Sequence, residues 1–156
     1  MLRYSDLVRN CLSDIKELLP WELLARMEAN PELMILDVRE PYEFAALHIQ
    51  GSINVPRGVL ETACEWDYEE TVPELVMARK KEIVVVCRSG HRSALAVYNM
   101  QLMGYEHAIS LKAGLRGWND YEEPLWSSSG VIVDFAEVDD YFISKLRPEQ
   151  RAPKHE

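Results

Sequence analysis

The sequence contains few cysteines and no long hydrophobic run. Its three cysteines, Cys11, Cys64 and Cys87, are an odd number and lack the spacing of metal ligands. We therefore expect neither a disulfide framework nor a metal site, and no organic cofactor is implied. The apolar stretches are shorter than the roughly 18 residues of a membrane span, and the first residues lack the apolar segment of a secretory signal. These absences predict a cytoplasmic protein without a membrane partner, in which a free thiol stays reduced.

Positive charge is also scarce. The chain has 17 Lys and Arg against 26 Asp and Glu, which gives a formal net charge of −9. Such a chain repels a phosphate backbone, and this excludes nucleic acid as a general partner. The 47% of hydrophobic residues is sufficient for the core of one domain among 156 residues without a disulfide.

One stretch has the pattern of a strand that leads into a reactive loop. Four consecutive β-branched residues, 83–86, predict a strand buried on both faces, as in a parallel sheet. The strand ends at Cys87, and residues 93–103 then have the pattern of a helix. Open α/β sheets bind ligands where the carboxyl ends of their strands face helix N-termini. We therefore interpret the loop between the strand and the helix as the active site.

This loop combines a thiol with hydrogen-bond donors and positive charge. A cysteine reacts as the thiolate, so Cys87 needs electropositive surroundings to act as the nucleophile. Loop N–H groups and the N-terminus of the following helix favour an anion, and arginine forks suit oxyanions. Ser93 is also a candidate helix cap, and His91 is equally well interpreted as a solvated loop residue. The residues that we expect to bind substrate are Arg88, Ser89, Gly90, His91, Arg92 and Ser93.

Four motifs resemble those of the single-domain rhodaneses, a family of sulfurtransferases. Residues 87–93 (CRSGHRS) resemble the active-site loop of that family, and 36–44 (LDVREPYEF) and 48–56 (HIQGSINVP) resemble its first two motifs. Residues 114–118 (GLRGW) are similar to its closing glycine–tryptophan segment. The resemblance implies a three-layer α/β fold, with a central, mostly parallel sheet and helices on both faces. It also implies that Cys87 takes a sulfane sulfur, carries it as a persulfide and passes it to an acceptor by a ping-pong mechanism.

We divide the chain into three parts on this basis. They are an N-terminal helical extension (1–14), a rhodanese-like catalytic domain (15–125) and a C-terminal helical extension with a tail (126–156). The cationic loop favours a small anionic donor such as thiosulfate. The expected acceptor is cyanide or a thiol, with a protein sulfur acceptor as a further possibility.

Asp37 and Arg39 stand at the end of another predicted core strand, at the edge of the sheet where Cys87 should lie. Asp37 could act as a base, or it could accept hydrogen bonds from the loop backbone and pair with an arginine. We favour structural support as the role of Asp37 and Arg39, because sulfur transfer from an ionised thiol needs no dedicated base.

Two other functions use related sequences. Phosphatases and arsenate reductases can use related cysteine loops. Tyrosine-type phosphatases resemble Cys-x5-Arg, whereas here Arg92 comes one position early and Val86 stands where those phosphatases usually carry histidine. The shorter loop suits one terminal sulfur better than a tetrahedral phosphate. A persulfide-carrying or non-catalytic binding module is the other alternative, although non-catalytic rhodanese-like modules often lack the cysteine.

The remaining pattern predicts further elements. Strands are expected at 15–18, 34–38, 52–55 and 108–111, and helices at 5–13, 20–28, 42–46, 73–79 and 134–146. Residues 127–130 (SSSG) have the composition of a flexible link, and the tail from Arg147 is expected to be disordered.

Overall fold

A computed structural model describes residues 1–154 of the chain. Within this range one parallel sheet of five strands has the spatial order β1-β5-β4-β2-β3. The strands are β1 (Glu17–Leu18), β2 (Met34–Asp37), β3 (Ile53–Asn54), β4 (Ile83–Val86) and β5 (Ala108–Leu111). The three central strands are buried at every position, as the run at 83–86 predicts.

Helices cover both faces of this sheet. They are α1 (Tyr4–Leu12), α2 (Pro20–Ala29), α3 (Pro41–Ala46), α4 (Leu60–Ala63), α5 (Pro73–Val76), α6 (His91–Leu102), α7 (Gly114–Asp120) and α8 (Phe135–Phe142). Single turns of 3₁₀ helix occur at Arg57–Val59 and Pro148–Gln150. None of the helices in the described part of the chain is long and apolar enough to cross a bilayer.

Alternate residues of each central strand face opposite layers, because side chains alternate along a strand. Val85 belongs to the hydrophobic core formed with α4, α5 and α6, whereas its neighbours Val84 and Val86 belong to the core formed with α2, α7 and α8. The predicted three-layer α/β fold is confirmed, and the sheet is parallel throughout the described residues.

Both extensions pack onto the domain. Val8 and Cys11 of α1 are buried against Ala94 of α6. Val138 and Phe142 of α8 are buried in the core on the other face of the sheet. The boundaries that we drew at 15 and 125 stay a prediction.

Several elements differ from the sequence-based expectation. The helix predicted over 73–79 ends at Val76, and the one predicted over 134–146 covers only Phe135–Phe142 because Ile143 is extended. Residues 127–130 form a hydrogen-bonded turn rather than a flexible link, since the Ser127 N–H donates to the Val131 carbonyl and the Ser128 N–H to that of Ala45. A 3₁₀ turn lies at the start of the tail, whereas residues 151–154 have no helix or strand and 155–156 lie outside the described residues, so the expected disorder of the tail stays a prediction.

Candidate active site around Cys87

The parallel sheet places Cys87 at the carboxyl edge of its central strand. Cys87 directly follows β4 and is only 1% exposed. Its Sγ accepts hydrogen bonds from the N–H groups of Gly90, at 3.1 Å, and Ser93, at 3.3 Å. The predicted convergence of loop amides on the sulfur is therefore present. Two N–H dipoles aimed at one atom favour negative charge on it.

The loop keeps this shape because its carbonyls are held on the opposite side. The Cys87 carbonyl accepts from the Leu115 N–H at 2.8 Å, and the Arg88 carbonyl accepts from the Arg116 N–H at 3.0 Å. These donors lie in the first turn of α7, where helical N–H groups have no intrahelical partner. With the carbonyls of Cys87 and Arg88 turned towards α7, the later N–H groups of the loop are left to face Sγ.

Two glycines allow this close approach. Gly90 has a φ of +88° and caps α6, so the helix begins at His91 and the alternative role of Ser93 as its cap is excluded. Gly114 has a φ of +59°, and a Cβ at this position would lie 2.5 Å from both the carbonyl carbon and the oxygen of Arg88. Only a residue without a side chain lets α7 meet the loop backbone this closely.

Ser93 points inward and joins the sulfur to a second hydroxyl. Its Oγ lies 3.4 Å from Cys87 Sγ and 2.8 Å from the Oγ of Ser110, and both serines are fully buried. In the thiolate state the Ser93 hydroxyl can donate to the sulfur while it accepts from Ser110. Sequence reasoning missed Ser110, although a hydroxyl in the middle of the buried β5 was a signal that it faces a polar partner.

Arg92 is ion-paired with Glu43 of α3. Arg92 Nη1 donates to Oε2 at 2.8 Å and Nη2 donates to Oε1 at 2.9 Å. Burial opposes ionisation of Glu43, but hydrogen bonds from Arg92 and from the Glu40 N–H, with the charges of Arg92 and Arg39, hold its pKa below the ordinary value. The hydrogen bonds with Glu43 in turn raise the pKa of Arg92. Sequence reasoning missed this partner of the predicted anion-binding Arg92.

The other polar residues of the loop face its surroundings. Arg88 Nη2 donates to the carbonyl of Phe142 at 2.8 Å and so ties the loop to α8. His91 is exposed, and its ring lies 5.9 Å from the Tyr4 ring of α1 in an edge-to-face arrangement. Ser89 is half-buried and lines a cleft between the loop and α1. Burial and, as the smaller cause, the charge of Cys87 raise the pKa of Tyr4, and the charge of Arg92 opposes this shift. Tyr4 therefore lies within the electrostatic field of both groups.

Asp37 and Arg39 form a fully buried ion pair beside the loop. Arg39 Nη2 donates to Asp37 Oδ2 at 2.7 Å, and the Arg39 N–H and Nε donate to Oδ1, each at 3.0 Å. Arg39 also donates to the carbonyl of Leu47 at 2.7 Å. Both carboxylate oxygens of Asp37 are thus engaged by Arg39, as expected of a supporting pair. No group of three His, Cys, Asp or Glu residues with metal-binding geometry occurs within residues 1–154.

The structure is thus that of a parallel α/β domain with a cysteine loop at the carboxyl edge of the sheet, in which N–H groups face the thiol. The family model of the rhodanese-like domain matches residues 19–121, and the chain belongs to this family. The family comprises sulfurtransferases and sulfur carriers.

The relatives carry names of both kinds. The chain is 32% identical over 98 residues to a putative sulfur carrier protein of Bacillus subtilis. The matched residues make up 63% of this chain and 48% of that protein. It is 30% identical over 103 residues to a putative mitochondrial thiosulfate sulfurtransferase of Schizosaccharomyces pombe. The match covers 64% of this chain and 72% of that protein. An adenylyltransferase and sulfurtransferase of Emericella nidulans is 29% identical over 114 residues, 63% of this chain but 24% of that protein.

Solved structures show the same fold. A protein of unknown function from Rhodopseudomonas palustris, described as a possible tyrosine phosphatase, has a TM-score of 0.72 at 26% identity, over 80% of this chain and 95% of that one. A rhodanese-related protein from Thermoplasma volcanium has a TM-score of 0.57 at 26% identity, over 70% of this chain and 96% of that one.

Proposed function

We propose that this chain is a sulfurtransferase that carries a sulfane sulfur as a persulfide of Cys87. The observation that carries the proposal is the pair of N–H groups, from Gly90 and Ser93, that donate to Sγ. They supply preorganised positive dipoles where charge resides on sulfur, without a metal or an organic cofactor.

The reaction has two steps that balance in atoms and electrons. The Cys87 thiolate attacks the sulfane sulfur of an anionic donor such as thiosulfate. A new S–S bond forms, the donor S–S bond breaks, and sulfite leaves with that electron pair. A thiophilic acceptor, cyanide or a thiol, then attacks the terminal sulfur and regenerates the thiolate. Each step is a nucleophilic displacement, and the persulfide separates the two substrates in time.

In the proposal, different residues of the loop stabilise the sulfur and bind the donor. The N–H groups of residues 88–93 stabilise the thiolate and the persulfide, and the Ser93 hydroxyl supports them. Arg92 lies within the electrostatic field of Cys87 and binds the donor anion at the entrance. Arg88, Ser89 and His91 line the outer loop and contact the donor or acceptor. Asp37 and Arg39 hold the neighbouring strand end in place.

A persulfide carrier for a protein acceptor uses the same chemistry, and the name of the Bacillus subtilis relative supports this variant. A reactive thiol of this kind needs a reducing compartment, which is consistent with the cytoplasm. The likeness to a possible tyrosine phosphatase favours phosphate chemistry as a second candidate. Against it, Arg92 stands one position earlier than the arginine of the Cys-x5-Arg pattern, and the shorter loop suits one terminal sulfur better than a tetrahedral phosphate.

Mass spectrometry after incubation with thiosulfate tests the proposal. We expect the wild type to gain one sulfur atom on Cys87 and the Cys87→Ser variant to gain none. Burial raises the pKa of the Cys11 and Cys64 thiols, so neither competes for the sulfur, and Cys11→Ser is the matched control that should behave as wild type. Hydrolysis of an aryl phosphate without sulfur uptake would replace this function with the phosphatase. Recovery of a protein partner with neither activity would favour a binding module.

A further inference from the structure

The charge of Arg92 is compensated at the entrance to the site. The Arg92 side chain is 32% exposed, whereas the Glu43 side chain that binds it is 11% exposed. Glu43 accepts from both terminal nitrogens of Arg92 and from the Glu40 N–H at 2.9 Å, so its carboxylate is fixed in position. A donor that approaches Arg92 therefore meets a carboxylate directly behind the guanidinium.

Arg88 and Arg92 attract an anionic donor, and the Glu43 carboxylate opposes part of this attraction. Arg39 is matched by Asp37 in a pair with no exposed surface. Arg88 donates a hydrogen bond from one terminal nitrogen to the carbonyl of Phe142, and this uncharged acceptor does not neutralise the positive charge of Arg88. The repulsion between Glu43 and a bound donor thus grows with the charge of the donor. A dianion is repelled about twice as strongly as a monoanion at the same place.

We propose that Glu43 is a specificity-determining residue that opposes part of the attraction of the two arginines, lowers the preference of the site for doubly charged thiosulfate and so improves the relative use of singly charged donors such as organic thiosulfonates. The inference rests on the proposed function, because it concerns the donor that reacts with Cys87. The chemical step is the same for both classes. The thiolate attacks the sulfane sulfur, and the leaving group is sulfite from thiosulfate but a singly charged sulfinate from a thiosulfonate.

Two donors that differ by one charge test this role. Thiosulfate and methanethiosulfonate both present a sulfane sulfur bonded to an oxidised sulfur, and cyanide serves as the common acceptor. The measured quantity is the kcat/KM for thiosulfate divided by that for methanethiosulfonate. Because each variant is compared with wild type in this ratio, the different intrinsic reactivities of the donors cancel.

Glu43→Gln removes the charge and keeps the shape of the side chain. We expect the ratio to rise about fivefold in this variant, because the interaction of one unit charge at a hydrated entrance has about that effect. The rise should become smaller in high salt. Glu43→Asp keeps the charge, so its ratio should stay near that of wild type even if its activity falls. Glu61→Gln is the matched control, since Glu61 is also paired with an arginine, Arg57, at 2.9 Å. Its ratio should change less than twofold.

The outcomes separate this inference from the proposed function. If wild type takes sulfur from neither donor, the proposed function fails. If wild type is active but the Glu43→Gln ratio is unchanged or lower, the role of Glu43 in specificity is refuted. An equal rise in Glu43→Asp also refutes it, because an effect that survives retention of the charge is not electrostatic.

Discussion

Gly114→Ala should separate the packing of the active-site loop from its chemistry. The added Cβ overlaps the backbone of Cys87 and Arg88, and it would lie 2.5 Å from the Arg88 carbonyl carbon. Since backbone cannot rotate away as a side chain can, either the loop or the first turn of α7 must shift. That shift separates the carbonyls of Cys87 and Arg88 from the two N–H groups that hold them.

The expected loss of stability follows from two contributions. An L-residue in the left-handed region costs about 1–2 kcal/mol. Loss of the hydrogen bonds from Leu115 and Arg116 adds about 1 kcal/mol each. The free energy of unfolding should therefore fall by about 3–4 kcal/mol, a large part of the roughly 5–15 kcal/mol of a typical domain.

The assay combines urea unfolding with sulfur uptake from thiosulfate. Gly130→Ala is the matched control, because Gly130 has a φ of +79° but no atom within 4 Å of the place that a Cβ would take. This control should lose only the conformational contribution of about 1–2 kcal/mol and should keep its sulfur uptake. Gly114→Ala should lose more stability than the control, and its rate of uptake should fall at least tenfold because the N–H groups no longer face the sulfur. Equal stability losses and an unchanged rate in the two variants would refute the role that we assign to the contact with α7.

Three further predictions concern the polar groups around the loop. Ser110→Ala should slow alkylation of Cys87 by iodoacetamide at neutral pH about two- to fivefold, because the chain of hydroxyls that ends on the sulfur is shortened; an unchanged rate would contradict this. Asp37→Asn should lower the free energy of unfolding in urea by about 3–5 kcal/mol, because it leaves the buried Arg39 without its counter-charge; full stability with lost activity would instead support a role as a base. The folded-state pKa of Glu43 is lowered, so its stabilisation is complete above the ordinary glutamate pKa and is lost as the pH falls towards the folded value. The difference in unfolding free energy between wild type and Glu43→Gln should accordingly be constant above about pH 6 and shrink below about pH 4.5, as urea titrations at each pH would show.

Local sequence patterns were sufficient for the sheet and for the centre of the site. The run of β-branched residues at 83–86 predicts a buried parallel strand, and the parallel topology places Cys87 at its carboxyl edge. The glycine at position 90 predicts a turn that brings N–H groups inward, and two of them donate to the sulfur. These features depend on neighbours within about six positions, which a local pattern can represent.

The partners of the loop side chains could not be predicted in this way. Glu43 and Arg92 are 49 positions apart, and Arg88 and Phe142 are 54 positions apart. No periodicity links such residues, since their contact depends on how layers of the fold meet. The alternative interpretation of Ser93 as a helix cap was wrong for a related reason. A serine near a helix start has the pattern of a cap, but the preceding glycine adopts the capping position and turns Ser93 towards β5.

The two extensions reach the active site from outside the region that the family model matches. That region is 19–121, yet Tyr4 of α1 packs on His91 and the Phe142 carbonyl at the end of α8 holds Arg88. Cys87 itself is almost fully buried, and Arg88 and His91 of the loop that follows it are the residues that these contacts hold. In the proposed function, the region that the family model matches supplies the groups around the Cys87 sulfur, whereas the outer loop is also held by segments outside that region. Donor and acceptor preference should accordingly be measured with α1 and α8 present, because removal of either helix removes a contact to the loop.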